Sequence, residues 1–220
     1  MKKLLVILVV SLMTGSALAQ ERDALCTWTT VSFDKSFGKW SAGLMSEYRH
    51  VIRNGVSKTD QYFARPGVAY KALPWLTLRY QADLASTSSG FNIRFIPEVS
   101  LHHKIGDFSL SFRQRAMTTW KVEAGTNSTV LRTRAKVDYN IAQSPVSVLF
   151  AFEPYWCEFS KDKFAWFQKA RWYAGFNVKV LDNLTIVPQY VCQAYHNSKG
   201  RYNRRTYDDH VIYVTFQIKL

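Results

Sequence analysis

Apolar and polar side chains alternate over unusually long stretches of this chain. In FSLSFRQRAMTTW, residues 108–120, Phe108, Leu110 and Phe112 fall on one parity, whereas Arg113 and Arg115 fall on the other. Successive side chains of a β-strand point to opposite faces, so this segment has one apolar face and one face that carries arginine. A soluble sandwich would bury the apolar face, whereas a membrane barrel would turn it to lipid and enclose the arginines.

About ten such segments follow one another along the chain. They span residues 40–51, 60–71, 75–85, 91–103, 107–120, 128–140, 146–157, 168–180, 184–196 and 208–220. Globular strands are usually five or six residues long, whereas a tilted strand needs about 9–11 residues to cross a bilayer, and these segments have that length. Because such barrels usually have an even number of strands, we expect Cys26–Phe33 to be an inner segment or one of a pair. The prolines at 66, 97, 154 and 188 fall within segments and predict local bulges.

Charged residues of these segments gather on the parity opposite to the apolar one. An arginine or lysine facing lipid at mid-bilayer costs about 2–4 kcal/mol, so a barrel demands this segregation. The predicted lumen-facing charged cluster consists of Arg94, Glu98, Arg113, Arg115, Arg132, Arg134, Asp138 and Glu153. Its arginines either interlock with acids that fill a small lumen or line a narrow path for small anions. Both interpretations stay open.

Aromatic residues and connections favour a barrel over a sandwich. Aromatic residues of the apolar parity cluster near both ends of the segments, as at two membrane interfaces. Those near one end are Trp40, Tyr70, Phe108 and Tyr139, and those near the other are Tyr48, Tyr62, Trp120, Trp156 and Trp172. Tight turns around Pro74 and at 104–107, 141–145 and 181–183 alternate with connections expected to be longer, around RNGVSKTD, VEAGTNS, FSKDKFAWFQ and HNSKGRYNRRTYDD. Short periplasmic turns and longer outer loops are typical of outer-membrane barrels.

The N-terminus has the composition of a secretory signal peptide. Lys2 and Lys3 precede the apolar run LLVILVV, and Ala17-Leu18-Ala19 resembles a cleavage site. We expect residues 1–19 to be removed and residues 20–220 to form one domain in the bacterial outer membrane. The formal net charge of +13 favours anionic partners, which for an exported chain are outer-membrane lipid, glycolipid and small anions rather than nucleic acid. The pairing of Cys26 with Cys157 and the oligomeric state are left open.

Several segments together resemble a known family. They are FSLSFRQRA, VLRTRAKVDYNI, FEPYW, RWYAGFNVKVLDNLTIVPQY and the closing DDHVIYVTFQIKL. In order and spacing they are similar to the uncharacterised, Bacteroidetes-type bacterial family called domain of unknown function 2490, over about Trp28 to Leu220. The resemblance implies an outer-membrane β-barrel and implies no activity.

Other chemistries have weaker support in the sequence. Asp208, Asp209 and His210 with Ser198 form one candidate hydrolase cluster, although G-x-S-x-G is absent. His102-His103 has no acid or cysteine at metal-ligand spacing, so we expect neither a metal nor a cofactor. The basic run of Lys199, Arg201, Arg204 and Arg205 is either a clamp for glycolipid phosphates or a solvated loop.

The sequence therefore predicts an all-β fold, a transmembrane antiparallel β-barrel of about ten strands (10–12) behind a signal peptide. We expect a structural or interaction role with limited passage of small anions through an arginine-rich lumen. Two alternatives are an outer-membrane enzyme that modifies lipid or glycolipid, and a soluble exported all-β binding protein. Catalytic activity is not expected, but the sequence does not decide it.

Overall fold

The computed structural model describes residues 24–88, 90–160, 163–197 and 204–220, and these residues form a closed β-barrel of eleven strands. The strands are β1 (Ala24–Phe37), β2 (Trp40–Arg53), β3 (Val56–Leu73), β4 (Leu76–Thr87), β5 (Gly90–Ile105), β6 (Phe108–Lys121), β7 (Thr126–Asn140), β8 (Val146–Ser160), β9 (Lys163–Leu181), β10 (Leu184–Asn197) and β11 (Arg204–Lys219). Each strand pairs with its neighbours in sequence, and β1 closes the barrel against β11. The predicted fold class is confirmed. The predicted signal peptide, residues 1–19, lies outside the described residues. No helix long and apolar enough to cross a membrane occurs among the described residues.

The first strand differs from its prediction. The segment Cys26–Phe33 was expected to lie inside the barrel or to pair with an unseen partner, but it belongs to β1, a full strand of the wall. With eleven strands in alternating directions, the first and the last run the same way, so β1 pairs antiparallel with β2 and parallel with β11. The even count was therefore the wrong premise. We call the end of the barrel that holds Leu220 the lower end, and Ala24 starts near the upper end.

The connections at the upper end are shorter than predicted. The segment RNGVSKTD was expected to be a long loop, but β2 ends at Arg53 and β3 begins at Val56, so two residues connect them. Asn54 and Gly55 have φ angles of 51° and 74°, the left-handed conformation of a tight hairpin turn. The polar residues near the upper ends of β2 and β3 still pair through their backbones, because this pairing does not depend on apolar side chains.

The two faces of the wall have the chemistries that the alternation predicts. The exposed large hydrophobic residues include all the predicted belt aromatics except the partly buried Tyr70, with Trp40 and Phe108 at the lower end and Trp120 and Trp156 at the upper end, whereas Trp172 lies at the middle of β9. Cross-strand pairs strengthen the lower belt: the ring centroids of Trp40 and Tyr70 are 4.8 Å apart. A soluble protein rarely exposes a continuous apolar surface of this extent, whereas a barrel in lipid requires one.

Proline interrupts the ladder at four places in the wall. Pro66, Pro97, Pro154 and Pro188 each lie where the pairing with one neighbouring strand is broken, in the pairs β3–β4, β5–β6, β7–β8 and β9–β10. At the last of these, a Cβ added to Gly175 would lie 2.4 Å from the Pro188 carbonyl oxygen, so the backbones approach closely where the side chain is missing. The breaks occur where proline cannot donate a hydrogen bond.

The orientation of Phe150 provides a test of the lipid-facing surface. Its side chain is 60% exposed on the outer face of β8. We expect Phe150→Arg to destabilise the barrel by about 2–4 kcal/mol, because the guanidinium would face hydrocarbon, and to reduce the heat-modifiable folded form in outer-membrane fractions. Phe150→Leu is the matched control and should fold normally. Equal folding of both variants would contradict the assignment of this face.

Candidate functional site

Four buried carboxylates hold the arginines of the lumen at mid-height. We call these residues the arginine belt: Arg49, Arg65, Arg94, Arg113, Arg115, Arg132 and Arg171 with Glu47, Asp83, Glu98 and Glu153. On one side of the lumen, Arg65 donates two hydrogen bonds to the fully buried Asp83, one of them 2.9 Å long, and Arg94 lies 3.5 Å from the same carboxylate. Two parallel bonds from one guanidinium form the strongest common ion-pair geometry.

Glu47 forms a second centre of the belt. It accepts hydrogen bonds from Arg49 at 2.5 Å, from the Thr30 hydroxyl at 2.8 Å and from the Tyr213 hydroxyl at 3.1 Å. Thr30 lies on β1, Glu47 on β2 and Tyr213 on β11, so this carboxylate ties together the strands on both sides of the parallel seam. The hydroxyl donors satisfy the buried carboxylate where arginine does not reach.

Glu153 is the most heavily shared acid of the belt. Its side chain is 1% exposed, and it accepts hydrogen bonds of 2.8 Å from Arg113, Arg132 and the Tyr173 hydroxyl, with Arg171 3.8 Å away. Glu98 pairs with Arg115 and lies 3.9 Å from Arg113. Arg113 thus lies between two carboxylates that come from opposite sides of β6.

Aromatic rings fill the space between the guanidiniums. Arg49 and Arg171 both lie against the Trp28 ring, at 4.2 and 4.7 Å from its centroid, and Arg132 lies 4.5 Å from the Tyr155 ring. Guanidinium groups over ring faces are favourable, more so away from water. Since Trp28 lies on β1 and Arg171 on β9, these contacts cross the lumen and do not merely follow the wall.

The residues of the predicted charged cluster take different places. Arg113 faces Arg134 and Arg115 faces Arg132 across the β6–β7 pair, so four guanidiniums lie side by side. Asp138 does not join them: it binds Lys136 at 2.9 Å and Asn177 at 2.8 Å, nearer the lower end. The acids that offset this quartet are therefore Glu98 and Glu153.

A cavity of about 560 Å³ occupies the lower half of the lumen. We call it the chamber. Its lining reaches from Asp34 and Lys219 near the lower end to Arg65 and Arg171 of the belt. Gly43 faces Gly67 across the β2–β3 pair, and both line the chamber, where the side chains of Asp34 and Gln81 pack closely over them. A smaller recess lined by Pro74, His102 and Lys136 shares part of this wall at the lower rim.

The chamber carries an excess of positive charge. Its lining holds ten arginines and lysines against four acids, and two of the basic residues, Arg65 and Lys136, pair with Asp83 and Asp138 just outside the lining, which leaves an excess of four positive charges. Arg79 and Arg134 line it without an ion pair among the described residues, although Arg134 lies 4.3 Å from the Tyr173 ring. The Nε atoms of Arg79, Arg132 and Arg134 are buried in the wall and have no hydrogen-bond partner there. Because Arg79 and Arg134 have no carboxylate of their own, the chamber is chemically complementary to an anion with several acceptor oxygens.

The upper half of the lumen is packed differently. Ala24, Cys26, Val191 and Val211 belong to an apolar cluster that continues down to Leu149 and Val187. Phe63 and Ala85 are fully buried on the opposite wall, and Asp209 is bound by Arg53 at 2.7 Å. The lining of the chamber contains none of Ala24, Cys26, Val191 and Val211, so the cavity ends at the belt.

The other candidate sites of the sequence do not assemble among the described residues. Asp209 points inward to Arg53, whereas His210 points outward and lies 2.5 Å from the Tyr190 hydroxyl. The alternation of β11 therefore places Asp209 on the face opposite to Asp208 and His210, and Ser198, the fourth residue of the hydrolase cluster, lies outside the described residues. No group of three or more potential metal ligands occurs in the described part of the chain. Cys26, Cys157 and Cys192 are free thiols, with Cys26 and Cys157 on strands that are not neighbours.

The predicted basic loop lies largely outside the described residues. Lys199, Arg201 and Ser198 are not among them, and Arg204 and Arg205 are described only as backbone at the start of β11, paired with Asn197 and His196. The glycolipid-phosphate clamp stays a prediction.

Comparison with protein families decides the identity of the chain. The model of the family described as "Protein of unknown function (DUF2490)" matches residues 25–204. The chain belongs to this family. The resemblance inferred from the sequence is thereby confirmed, and DUF2490 has no activity in its description. A comparison with curated proteins finds no match.

Among solved structures, this DUF2490 chain is similar to a protein titled "NanC porin structure in rhombohedral crystal form". The identity is 12%, the TM-score is 0.48, and the match covers 90% of this chain and 99% of the other.

Sequence reasoning placed the arginines on the inner face but missed the aromatic rings that pack against them. Trp28, Tyr155 and Tyr173 have the inward parity of their strands, and that parity was the available signal. This signal was not recognised, because the lipid-facing parity is also rich in aromatic residues. The pair Arg113–Glu153 joins residues 40 positions apart on β6 and β8, which are not neighbours, and no spacing in the sequence indicates such a contact.

Removal of the Glu153 charge should destabilise the DUF2490 barrel strongly. In Glu153→Gln, three arginines lose their shared carboxylate, and breaking a buried pair in this way costs about 3–5 kcal/mol. The measurement is unfolding of the refolded protein by urea in detergent, in buffer without phosphate or sulfate. Asp182→Asn is the control: its carboxyl is exposed, its pKa is lowered by the hydrogen bond from Lys179, and solvent screens such a surface pair so that its loss should leave stability nearly unchanged. Equal stability of the two variants would show that the belt does not depend on Glu153.

Proposed function

We propose that this DUF2490 protein is an outer-membrane barrel that binds small oxyanions in its lower chamber and does not conduct freely. The observation that carries the proposal is the charge of the chamber: Arg79 and Arg134 line it without an ion pair among the described residues, and four positive charges are in excess once the acids next to the lining are counted. A multivalent oxyanion supplies both the charge and the acceptors that these arginines lack. The size of the cavity suits such a ligand with part of its hydration shell.

The belt favours anion binding in the chamber over anion passage through the lumen. Asp83 and Glu153 are buried between arginines from both sides, and Glu47 is buried against Arg49 and two hydroxyl groups. Aromatic rings pack against several of these arginines. An ion that travelled upward would have to break several buried pairs and leave unpaired charge behind. In place of limited anion passage, we therefore expect anions to enter the chamber from the lower end and not to cross the belt.

The same arrangement supports a setting in the outer membrane, with lipid around the wall. The apolar outer face and its aromatic belts fit a bilayer, and the lower end, with Leu220, would face the periplasm. The chamber would then open toward the periplasm. The fractions used to measure the Phe150 variants test this location as well: wild-type protein in the soluble periplasm would refute it.

Sulfate should raise the thermal stability of the refolded barrel. A ligand that binds only the folded state at a concentration one hundred times its Kd stabilises it by about 2.7 kcal/mol. The measurement is Tm in sodium sulfate against sodium chloride at equal ionic strength, which keeps charge screening the same.

Three variants separate specific binding from the general stabilising effect of sulfate. Arg79→Gln and Arg134→Gln should each lose most of the difference in Tm between the two salts. Lys39→Gln, which removes the same charge from a turn outside the chamber lining, should keep it. An equal sulfate effect in all four proteins would contradict the chamber as the binding site.

Conductance tests whether the belt closes the lumen. Wild-type protein in planar bilayers should give no steady current, because the belt fills the cross-section. The double variant Glu98→Ala/Arg115→Ala removes one ion pair, leaves the neighbouring Arg113 bound to Glu153, and should open a measurable path. A steady anion-selective current through the wild type would replace the closed chamber with a continuous anion path.

A further inference from the structure

The lipid-facing surface carries a polar group where hydrocarbon is expected. Gln114 lies on the outer face of β6, six residues from Phe108 of the lower belt and six from Trp120 of the upper belt. It therefore stands at the middle of the apolar zone, far from either interface. Hydrocarbon tails offer no hydrogen-bonding group, so a polar side chain at this depth is costly unless protein atoms satisfy it.

Gln114 is bonded through its amide oxygen. The Trp156 indole can only donate, and its Nε1 lies 2.9 Å from the Thr133 hydroxyl oxygen. Thr133 donates to Gln114 Oε1 at 2.5 Å. With the amide in this orientation, neither Nε2 hydrogen of Gln114 has a partner among the described residues.

The surroundings of Gln114 permit a close approach by another protein surface. Ala116 and Ala135 lie beside it on the outer faces of β6 and β7, and Thr133 faces it directly. We call Gln114, Ala116, Thr133 and Ala135 the Gln114 patch. Small residues let two membrane-embedded backbones approach, and polar side chains between them form hydrogen bonds. Phe112 and Trp156, both exposed, border this shallow patch.

We propose that the Gln114 patch is the contact surface of a homodimer in the membrane. A carboxamide is self-complementary, since Nε2 of each copy can donate to Oε1 of the other across a twofold axis. The oxygen keeps a lone pair free after it accepts from Thr133. A second copy thus satisfies donors that lipid cannot. This inference goes beyond the anion-binding proposal and requires only that the barrel lies in a membrane.

Site-specific photo-crosslinking tests the dimer. Phe112→p-benzoylphenylalanine places the reactive ring at the border of the patch, and Phe33→p-benzoylphenylalanine is its matched control. Phe33 is also exposed, lies four residues from the lower end of β1 as Phe112 lies four residues from the lower end of β6, and is on the other side of the barrel. Irradiation of the full-length protein in native outer membranes should give a homodimer band from position 112 and none from position 33.

Loss of the amide should weaken the dimer while the barrel stays folded. Gln114→Met keeps the size of the side chain, and the loss of two hydrogen bonds in a membrane should lower the crosslinked fraction about tenfold. Thr118→Val is the control, because Thr118 lies on the same outer face but bonds Thr129 at 3.0 Å within the chain. It should leave the crosslinked fraction unchanged. Heat-modifiable migration confirms folding in every case.

Four results would overturn the proposal. They are equal crosslinking at positions 112 and 33, adducts to lipid or to a different protein in place of the homodimer, a crosslinked fraction that Gln114→Met does not change, and a folded Phe112→p-benzoylphenylalanine protein that gives no crosslink at all. Anion binding in the chamber is measured separately and does not depend on this outcome.

Discussion

The fold depends on the pairing of every backbone hydrogen-bonding group within the wall. In hydrocarbon no water satisfies a free strand edge, so a sheet that spans a bilayer must close on itself. Here closure is achieved with eleven strands, and β1 pairs parallel with β11 along eleven residue positions. Once the wall is closed, the alternation of side chains follows: one parity must meet lipid, and the other must share a narrow interior. The charged interior is a consequence of that geometry.

A narrow interior turns the excess of arginine into a problem of charge balance. Burying a guanidinium is tolerable only beside a carboxylate, an aromatic face or a bound anion. The belt uses the first two means, with Glu153 shared by several arginines and Trp28 placed between Arg49 and Arg171. The chamber below has fewer acids and unsatisfied donors, which leaves the third means open. The sequence left two alternatives open: arginines interlocked with acids, and arginines available to anions. The first describes the belt, and the second describes the chamber below it.

The sequence predicts the wall better than its closure. Charged residues near the middle of β2 to β11 are confined to one parity, because each charged side chain facing lipid would be costly. The inner and outer faces of these strands could therefore be assigned from the sequence. In β1 the inward residues Cys26, Trp28 and Thr30 carry no charge, so its two faces look alike and the strand was misread. The upper hairpins were also misread, since their polar residues resemble loops although their backbones stay paired. Of the candidate site, the inward arginines were predictable from parity, but contacts across the lumen depend on curvature and side-chain reach, which no local pattern contains.

The parallel seam also has a consequence for the order of assembly. Ala24 faces Asp209, so the pairing that closes the barrel joins the two most distant parts of the described chain. All other pairs are hairpins between consecutive strands, with low contact order, and these can form locally as the chain becomes available. The seam must wait until β11 has been delivered, and the loop-closure entropy falls on this one step. Thr30 and Glu47 can meet within the β1–β2 hairpin, but Tyr213 reaches them only when the seam closes, so its two hydrogen bonds are among the last contacts of the fold to form.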